Sequence, residues 1–474
     1  MAALVATPWH ASAQTRPAFD HTKPPNLGKP ARLVVPTVIP STLPNGVKLR
    51  IVEQHELPLV HITVVIDGGV LLDGDRPGMA TFTAGMLDEG AGIHDATALQ
   101  SELAYLGASL STTASWDAFA VSLKVPARSL GAALDLMADV LLRPTLGAAE
   151  VRRQRDLRLA GLLQQRDQPN ALAGLAFSLL VYPPGHPYHR PTGGDSASAA
   201  ALDSATVRRF YERAFVPSRA TVIVVGDIGV PAARQAIQSR FGAWRPRGAT
   251  AALPTITVTP SRLESTKVTF VDKPEAAQSV INIGWPGVDR RSPDYAALMV
   301  MNTILGGSFT SRLNMSLRET KGYSYGAGSG FSFRGTPGPF VASAAVRTNV
   351  TDSSLVEFFR ELRRIRDQPV TPEELARAKS YVELGLPGSL EGTSQVAGEI
   401  AELLPFSLSL AELPRFASRV RLVRVADVQR VARAYLTPDK ATVVVVGDLA
   451  MIRAPVDALN LGPSSVLEVK DIVR

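Results

Sequence analysis

Cysteine is absent from this sequence of 474 residues. Its absence excludes disulfide bonds, thiol nucleophiles and metal sites built from cysteine. The same absence leaves the cellular compartment of the protein open.

Long apolar runs are also absent, and no stretch approaches the roughly 18 apolar residues that a membrane-spanning helix needs. The formal net charge is +7, but the charges are scattered and no basic run has interleaved aromatic residues. The densest basic cluster, Arg152 to Arg158, also contains Asp156 and follows Glu150, which predicts a solvated helix face. We therefore expect neither a membrane span nor a nucleic-acid partner.

The remaining composition is that of an ordinary globular protein. Hydrophobic residues make up 45% of the chain and charged residues 20%. A chain of this length can form two to three domains, each with its own core.

An internal repeat shows how the chain is organised. Residues 206–227 and 427–448 each combine an amphipathic helix pattern, a proline-containing turn and a run of β-branched residues that ends in Gly-Asp. Matching residues recur at a constant spacing of 221: Pro217 and Pro438, Thr221 and Thr442, Gly226 and Gly447, and Asp227 and Asp448. The repeat predicts two homologous halves.

The beginnings of the two halves correspond as well. Residues 60–66 and 279–285 both predict strands that lead through a Gly/Pro turn into a helix. Proline-containing turns precede the helices around Glu150 and Glu374, and residues 371–374 predict a capping box with proline at the first helical position. Strands and helices are mixed within each half, so we predict an α+β fold with two homologous domains of about 220 residues each.

The predicted boundaries follow from these patterns. We predict an N-terminal extension at residues 1–39, a first domain at 40–245, a linker at 246–265, a second domain at 266–465 and a tail at 466–474. Residues 11–14, Ala-Ser-Ala-Gln, are similar to a signal-peptidase site, although no Lys or Arg precedes them. We therefore expect export to the bacterial periplasm, with the cytoplasm as the alternative.

The segment Gly78 to Gly85 lies in surroundings typical of a zinc-peptidase helix. A catalytic zinc needs three ligands from His, Glu, Asp or Cys and an open fourth position. In a His-x-x-Glu-His helix the two histidines lie on one face, and the glutamate acts as general base. Gly78, Ala80 and the pair Met86-Leu87 resemble the flanks of this inverted motif in the M16 peptidase family, which includes pitrilysin and the mitochondrial processing peptidase.

The positions that the resemblance assigns to the metal site hold other residues. Thr81 and Gly85 stand at the two histidine positions, and Ala84 stands at the position of the base. The third ligand position falls on Gly161, 76 residues after Gly85, with Gln154 at the first glutamate of that helix. A neutral threonine, a methyl group and a hydrogen cannot hold a divalent cation. The resemblance therefore implies that this chain carries no metal or other cofactor.

A second motif in the other half resembles the same family. Residues 305–313 lead into 317–325, similar to the C-terminal-domain signature in which an Arg and a Tyr seven apart reach the substrate at the zinc centre. The resemblance gives Arg318 and Tyr325 this catalytic role. A guanidinium and a phenol suit it, because peptide-bond attack builds negative charge on the carbonyl oxygen. Taken singly, Arg318 also fits a surface residue paired with Glu319, and Tyr325 a half-buried strand residue.

The resemblance covers about residues 40–460 and implies a complete architecture. Each half would be a mostly antiparallel sheet packed with helices, and the halves would face each other around a central chamber. The implied function is that of a metal-free subunit in a heteromeric zinc peptidase, as a heterodimer or larger assembly. A homologous partner would carry the zinc, while this chain closes the chamber and supplies Arg318 and Tyr325 to the peptide substrate.

Two further readings of the same resemblance stay open. The chain could be a non-enzymatic peptide-binding or structural assembly protein, although the intact Arg318 and Tyr325 speak against it. Residues 107–125 resemble the family strand whose edge takes up an extended peptide, and a plain sheet strand is the alternative.

Other candidate motifs are weaker. His186 and His189 lie three apart in a Pro/Gly-rich loop, without an acid in ligand-like register. Residues 326–330, Gly-Ala-Gly-Ser-Gly, lack the Gly-Lys-Ser/Thr ending of a phosphate loop and predict a strand that another segment approaches closely. No Gly-x-Ser-x-Gly elbow is present, and an enzyme working alone by unrelated chemistry is the least favoured hypothesis.

Overall fold

The computed structural model describes residues 33–260 and 262–473 of the chain. The residues similar to a signal-peptidase site, 11–14, lie outside the described residues. Two six-stranded sheets, one in each half of the sequence, form the centre of the fold. The described residues belong to one compact unit.

The strands of the two sheets follow each other along the chain. The first sheet contains β1 Ile39–Thr42, β2 Lys48–Glu53, β3 Leu59–Asp67, β4 Ser109–Ala114, β5 Ala118–Pro126 and β6 Ala220–Gly226. The second sheet contains β7 Lys267–Asp272, β8 Gln278–Pro286, β9 Ser324–Phe331, β10 Pro339–Arg347, β11 Thr442–Gly447 and β12 Ser464–Val466.

Strand order confirms the duplication that the sequence predicts. The first sheet has the order β1-β2-β6-β3-β5-β4, and the second has β12-β7-β11-β8-β10-β9. In the first sheet β6 pairs in parallel with β2 and antiparallel with β3, and in the second sheet β11 pairs in parallel with β7 and antiparallel with β8. The other pairs are antiparallel except β12 with β7.

Helices connect and cover these strands. Those of the first half are α1 Met79–Gly85, α2 Ala96–Tyr105, α3 Leu130–Leu142, α4 Ala148–Gln165, α5 Pro169–Val181, α6 Ser196–Ala200, α7 Ser204–Ala214 and α8 Val230–Phe241. Those of the second half are α9 Tyr295–Leu305, α10 Arg312–Asn314, α11 Thr351–Asp367, α12 Pro372–Gly385, α13 Thr393–Leu403, α14 Glu412–Leu422, α15 Val425–Tyr435, α16 Leu449–Asp457 and α17 Val469–Ile472. A π-helical turn, Met315–Thr320, continues α10.

The fully apolar strands β6 and β11 are explained by burial on both faces. In β6, Val222 and Val224 face the helices of their own half, whereas Ile223 and Val225 pack against α13 of the other half. The same alternation in β11 places Val444 and Val446, among others, against α5.

Each half therefore lends one helix to the sheet of the other half. Helix α5 lies on β8 and β11, with Leu172 and Phe177 buried there. Helix α13 lies on β3 and β6, where Val396 and Ile400 are buried. Because each fully buried side chain of this size contributes about 1.5–3 kcal/mol, the exchange of helices is a strong link between the halves.

A loop of the second half adds a further link. The Arg334 guanidinium stacks on Trp116 and Tyr188 of the first half, 4.5 and 4.3 Å from the ring centroids. The Thr336 hydroxyl donates to the Tyr188 hydroxyl at 3.0 Å, and the Tyr182 hydroxyl donates to the Pro337 carbonyl at 3.2 Å. Cation–π and hydrogen-bond contacts thus fix this loop across the boundary between the halves.

The predicted α+β fold with two homologous halves is confirmed. The capping box at residues 371–374 is also confirmed at the start of α12. Residues 107–125 form a hairpin of β4 and β5 instead of one strand, since residues 115–117 turn the chain. The exact domain boundaries stay predictions. No helix within the described ranges is long and apolar enough to cross a membrane.

Candidate functional site

Helix α1 carries three of the metal-site positions, and its start is held firmly. The Asp73 carboxylate accepts hydrogen bonds from the backbone N–H groups of Gly78 and Ala80, both at 2.7 Å. Burial raises the pKa of Asp73 to about 7, although these two hydrogen bonds oppose the rise. Gly78 has a left-handed backbone with φ of 88°, and a β-carbon there would lie 2.6 Å from the Gly193 carbonyl oxygen. Glycine is needed at this position for both reasons.

The structure brings three of the four metal-site positions to one cavity. Thr81 and Gly85 on α1 and Gly161 on α4 line a cavity of about 340 Å³ between the two helices. The Thr81 hydroxyl donates to the Thr192 carbonyl oxygen at 2.8 Å. Ala84 is buried under the helix instead, and a β-carbon at Gly85 or Gly161 would meet no atom within 4 Å.

The residues of this cavity do not fit a zinc ion. Zinc requires His, Cys or carboxylate ligands, and the cavity offers hydroxyl, amide and guanidinium groups together with apolar side chains. Across residues 33–260 and 262–473, no group of three or more His, Cys, Asp or Glu side chains is arranged to hold a metal.

The charge of the cavity comes from Arg158 of α4, the charged residue in its lining. The guanidinium lies so close to the Gly193 backbone that a β-carbon at 193 would collide with it. Burial lowers the pKa of Arg158 below its ordinary value. Glu89, which follows α1 in the chain, is bonded to Arg153 and Gln154.

The cluster from Arg152 to Arg158 thus divides in two. Arg153 pairs with Glu150 at 2.7 Å and Arg155 with Asp156 at 3.1 Å, as expected for a solvated helix face. Arg158 lines the cavity between α1 and α4, together with Gln154 and Gly161 of the same helix. The sequence analysis did not identify Arg158 as a site residue. Its only signal was its position three residues before Gly161, about one helical turn away.

Arg318 and Tyr325 lie in the second half, near the edge strand β9. Arg318 is in the π-helical turn, where its guanidinium stacks over the Phe309 ring at 4.7 Å and contacts the Glu319 carboxylate at 3.2 Å. Tyr325 lies in β9 with 90% of its surface exposed. The pairing of Arg318 with Glu319 is partly exposed, and such pairs contribute at most about 1 kcal/mol.

Hydrogen bonds and a buried ion pair fix the segment that carries Arg318 and Tyr325. The Asn314 amide donates to the Phe309 carbonyl at 2.7 Å, and its oxygen accepts from the Ala327 N–H at 3.3 Å. Arg312 forms a buried, two-pronged ion pair with Glu374 of α12, with N–O distances of 2.7 and 2.8 Å. These hydrogen bonds hold the pKa of the Glu374 carboxyl below its usual range.

Residues 326–330 lie in strand β9, as the sequence predicts. The segment that approaches them is the end of α9. The Ser329 N–H donates to the Gly306 carbonyl at 3.1 Å, and the Asn302 amide donates to the Ser329 carbonyl at 2.9 Å. A β-carbon at Gly306 would lie 2.3 Å from the Ser329 nitrogen, so glycine is required for this contact.

A larger cavity of about 770 Å³ lies between the halves and is lined by residues of both. Aromatic rings and acids share its wall, including Tyr295, Phe416 and Glu399. Burial raises the pKa of Glu399 and that of Asp117 across the cavity. The metal-site positions, Arg318 and Tyr325 do not line this cavity. Sequence reasoning did not identify Glu399.

The histidine pair at 186 and 189 has structural contacts. His186 is buried, and its Nδ1 accepts from the Tyr188 N–H at 3.0 Å. Burial, first, and Arg334, second, lower the pKa of His186 to about 4. The His189 Nδ1 lies 2.6 Å from the Tyr182 carbonyl oxygen. Both imidazole rings therefore stabilise the loop that packs against Arg334.

Two family models match the chain in consecutive regions. A model described as insulinase, peptidase family M16, matches residues 50–173. A model described as the peptidase M16 inactive domain matches residues 201–382. The first match includes α1 and α4, and the second includes Arg318 and Tyr325.

Relatives extend the similarity over most of the chain. A zinc protease of Mycobacterium leprae is 26% identical over 75% of this chain and 79% of its own length. The mitochondrial-processing peptidase subunit beta of Lentinula edodes is 25% identical over 84% of this chain and 87% of its own length.

Solved structures have the same fold. A peptidase M16 inactive domain from Pseudomonas fluorescens is 28% identical, with a TM-score of 0.80 over 87% of this chain and 98% of that one. A protease from Helicobacter pylori is 20% identical, with a TM-score of 0.81 over 87% of this chain and 100% of that one. The family models, the relatives and the shared fold agree, and the chain belongs to the M16 peptidase family.

Proposed function

We propose that this chain is the metal-free subunit of a heteromeric zinc peptidase. The observation that carries the proposal is the cavity between α1 and α4. Thr81, Gly85 and Gly161, to which the family resemblance assigns the metal ligands, line this cavity and provide no ligand that zinc prefers. Hydrolysis by a zinc-activated water would therefore need the metal of a homologous partner subunit.

Arg318 and Tyr325 would be the contribution of this chain to the partner's site. Tyr325 is exposed, and the Arg318 guanidinium stacks over Phe309. The ion pair of Arg318 with Glu319 is weak and partly exposed, so that a substrate carbonyl can replace the Glu319 carboxylate. Donors fixed on a rigid base stabilise the charge that develops on a carbonyl oxygen during attack. The network of Asn314 and Arg312 supplies that rigid base.

The partner would be a homologous M16 subunit that carries a His-x-x-Glu-His helix, in a heterodimer or a larger assembly. The relative named as a subunit of the mitochondrial processing peptidase supports this kind of partnership. Export to the bacterial periplasm remains part of the proposal, and it rests on residues 11–14 alone.

The cavity between the halves favours a second candidate function, a non-enzymatic peptide-binding or assembly protein. Its volume of about 770 Å³ and its mixed aromatic and acidic wall suit an apolar or basic peptide segment. Binding of this kind would require no metal.

The experiment compares two samples: the purified chain alone, and the chain mixed with an M16 subunit that carries His-x-x-Glu-His. We expect no stoichiometric zinc and no peptide hydrolysis from this chain alone, and hydrolysis from the mixture well above that of the zinc subunit. Metal content by mass spectrometry and cleavage of a quenched fluorescent peptide provide the readouts. Zinc at one per chain together with hydrolysis by the lone chain would refute the proposal, whereas peptide binding without any gain in hydrolysis would favour the second candidate.

A further inference from the structure

We propose that the cavity between α1 and α4 is a carboxylate-binding site in which Arg158 occupies the role of the missing cation. The ligand would be a peptide with a free C-terminal carboxylate. The proposal concerns this chain alone and requires neither zinc nor a partner subunit.

The first step of the argument is the state of Arg158. Within the part of the chain that the structure describes, no hydrogen bond or ion pair engages its guanidinium, and the residue lines the cavity. A guanidinium that no acid engages can pair with a carboxylate that a ligand supplies. The lowered pKa of Arg158 reflects its burial away from water.

The second step is the chemistry of the surrounding wall. The lining contains no acid that would repel a carboxylate, and Gln154 and Gln165 add amide groups. Glu89 lies outside the lining and is bonded to Arg153 and Gln154. An arginine fork binds a carboxylate through two parallel hydrogen bonds, which makes this anion the best match.

The third step is the space available. The cavity has about 340 Å³, within the range of sites for small ligands. Gly85 and Gly161 leave its floor open, because a β-carbon at either position would meet nothing within 4 Å. Phe82, Met86 and Leu157 make part of the wall apolar. A carboxylate beside an apolar side chain, as at a peptide C-terminus that ends in leucine, fits this combination.

The test uses the full chain and three acetylated tetrapeptides that end in leucine. One peptide has a free carboxylate, the second has a C-terminal amide, and the third has the amide and an internal glutamate. We expect isothermal titration calorimetry to show that the free acid binds roughly tenfold more tightly than either amide. If the amide that contains glutamate binds as tightly as the free acid, the site recognises a side-chain carboxylate, and the C-terminal assignment is wrong.

Two variants and one control complete the test. Arg158→Gln is expected to abolish the preference for the free acid, whereas Arg152→Gln, an exposed arginine on the same helix, should keep it. Gly161→Leu fills the cavity without changing Arg158 and should abolish binding in a folded protein, as its thermal midpoint will show. The proposal fails if the wild-type chain does not prefer the free acid, or if Gly161→Leu, folded, binds it unchanged. Since hydrolysis is not measured, these failures would leave the function proposed above unaffected.

Discussion

At the scale of single residues, the glycines around the cavity have two different roles. Gly78 permits a left-handed backbone and close contact with Gly193, so it determines how α1 begins. Gly85 and Gly161 face open space, and their small size keeps the cavity empty of side chains. One type of residue thus shapes the start of α1 at one position and leaves the cavity open at two others.

This difference predicts opposite effects of alanine on stability. Gly78→Ala should lower the free energy of unfolding by about 1–3 kcal/mol, because the β-carbon meets the Gly193 carbonyl and φ is positive. Gly161→Ala should raise it by about 0.5–1 kcal/mol, because the position is helical and unobstructed. Urea denaturation measures both, and a tolerated Gly78→Ala would refute the proposed role of this glycine.

A second prediction at this scale concerns His61, which lies between Thr63 and Ser394 at the contact of β3 with α13. Burial, and then Lys124, lower the pKa of His61 from 6.5 to about 4 in the folded protein. The unfolded chain therefore takes up the proton first, so this contribution to stability is complete above pH 6.5 and is lost as the pH falls toward 4.

The comparison of wild type with His61→Gln isolates this effect. Asp73 acts in the opposite direction, because its raised pKa of about 7 removes stability as the pH increases from 4 to 7. Because both proteins contain Asp73, its effect cancels in the comparison, and between pH 7.5 and 5 the free energy of unfolding of the wild type should fall relative to that of the variant. An equal change in both proteins, measured in urea titrations at the two pH values, would contradict the buried, neutral state of His61.

At the scale of elements, the exchange of α5 and α13 is the feature that the sequence did not reveal. The apolar residues of α5 would look the same for any buried helix, and nothing local indicates which sheet they cover. The strands were more informative, because the β-branched run in β6 and β11 predicts a buried strand by itself. The capping box at Thr371 is also local, and it formed as predicted.

The exchange predicts that a mutation in one half loosens the sheet of the other. Leu172→Ala in α5 should cost about 2–5 kcal/mol, since the side chain is fully buried against the second sheet. Amide hydrogen exchange should accelerate in β11 more than in β6. Leu99→Ala in α2, which is equally buried but within the first half, should have the reverse effect. Equal acceleration in both strands would show that the two sheets open together instead.

At the scale of the whole molecule, the duplication and the family resemblance were predictable because they rest on spacing along the chain. The 221-residue repeat reappears as two sheets of matching strand order. The orientation of Arg158 and the cavity beside Glu399 were not predictable, because they depend on how distant segments pack. The cluster from Arg152 to Arg158 illustrates the limit, since the sequence suggested one solvated face and the structure separates Arg158 from it.

The central claim is that Arg318 and Tyr325 act on a substrate at another subunit's zinc. The most direct measurement is kcat/KM of the assembled pair with Arg318→Ala or Tyr325→Phe in this chain, beside the control variants Arg415→Ala and Tyr105→Phe at exposed positions. We predict a loss of about 2.7–4 kcal/mol of transition-state stabilisation, or a hundredfold and more, for the first two variants and no change for the controls. An assembled, active pair whose kcat/KM is the same with all four variants would contradict the claim.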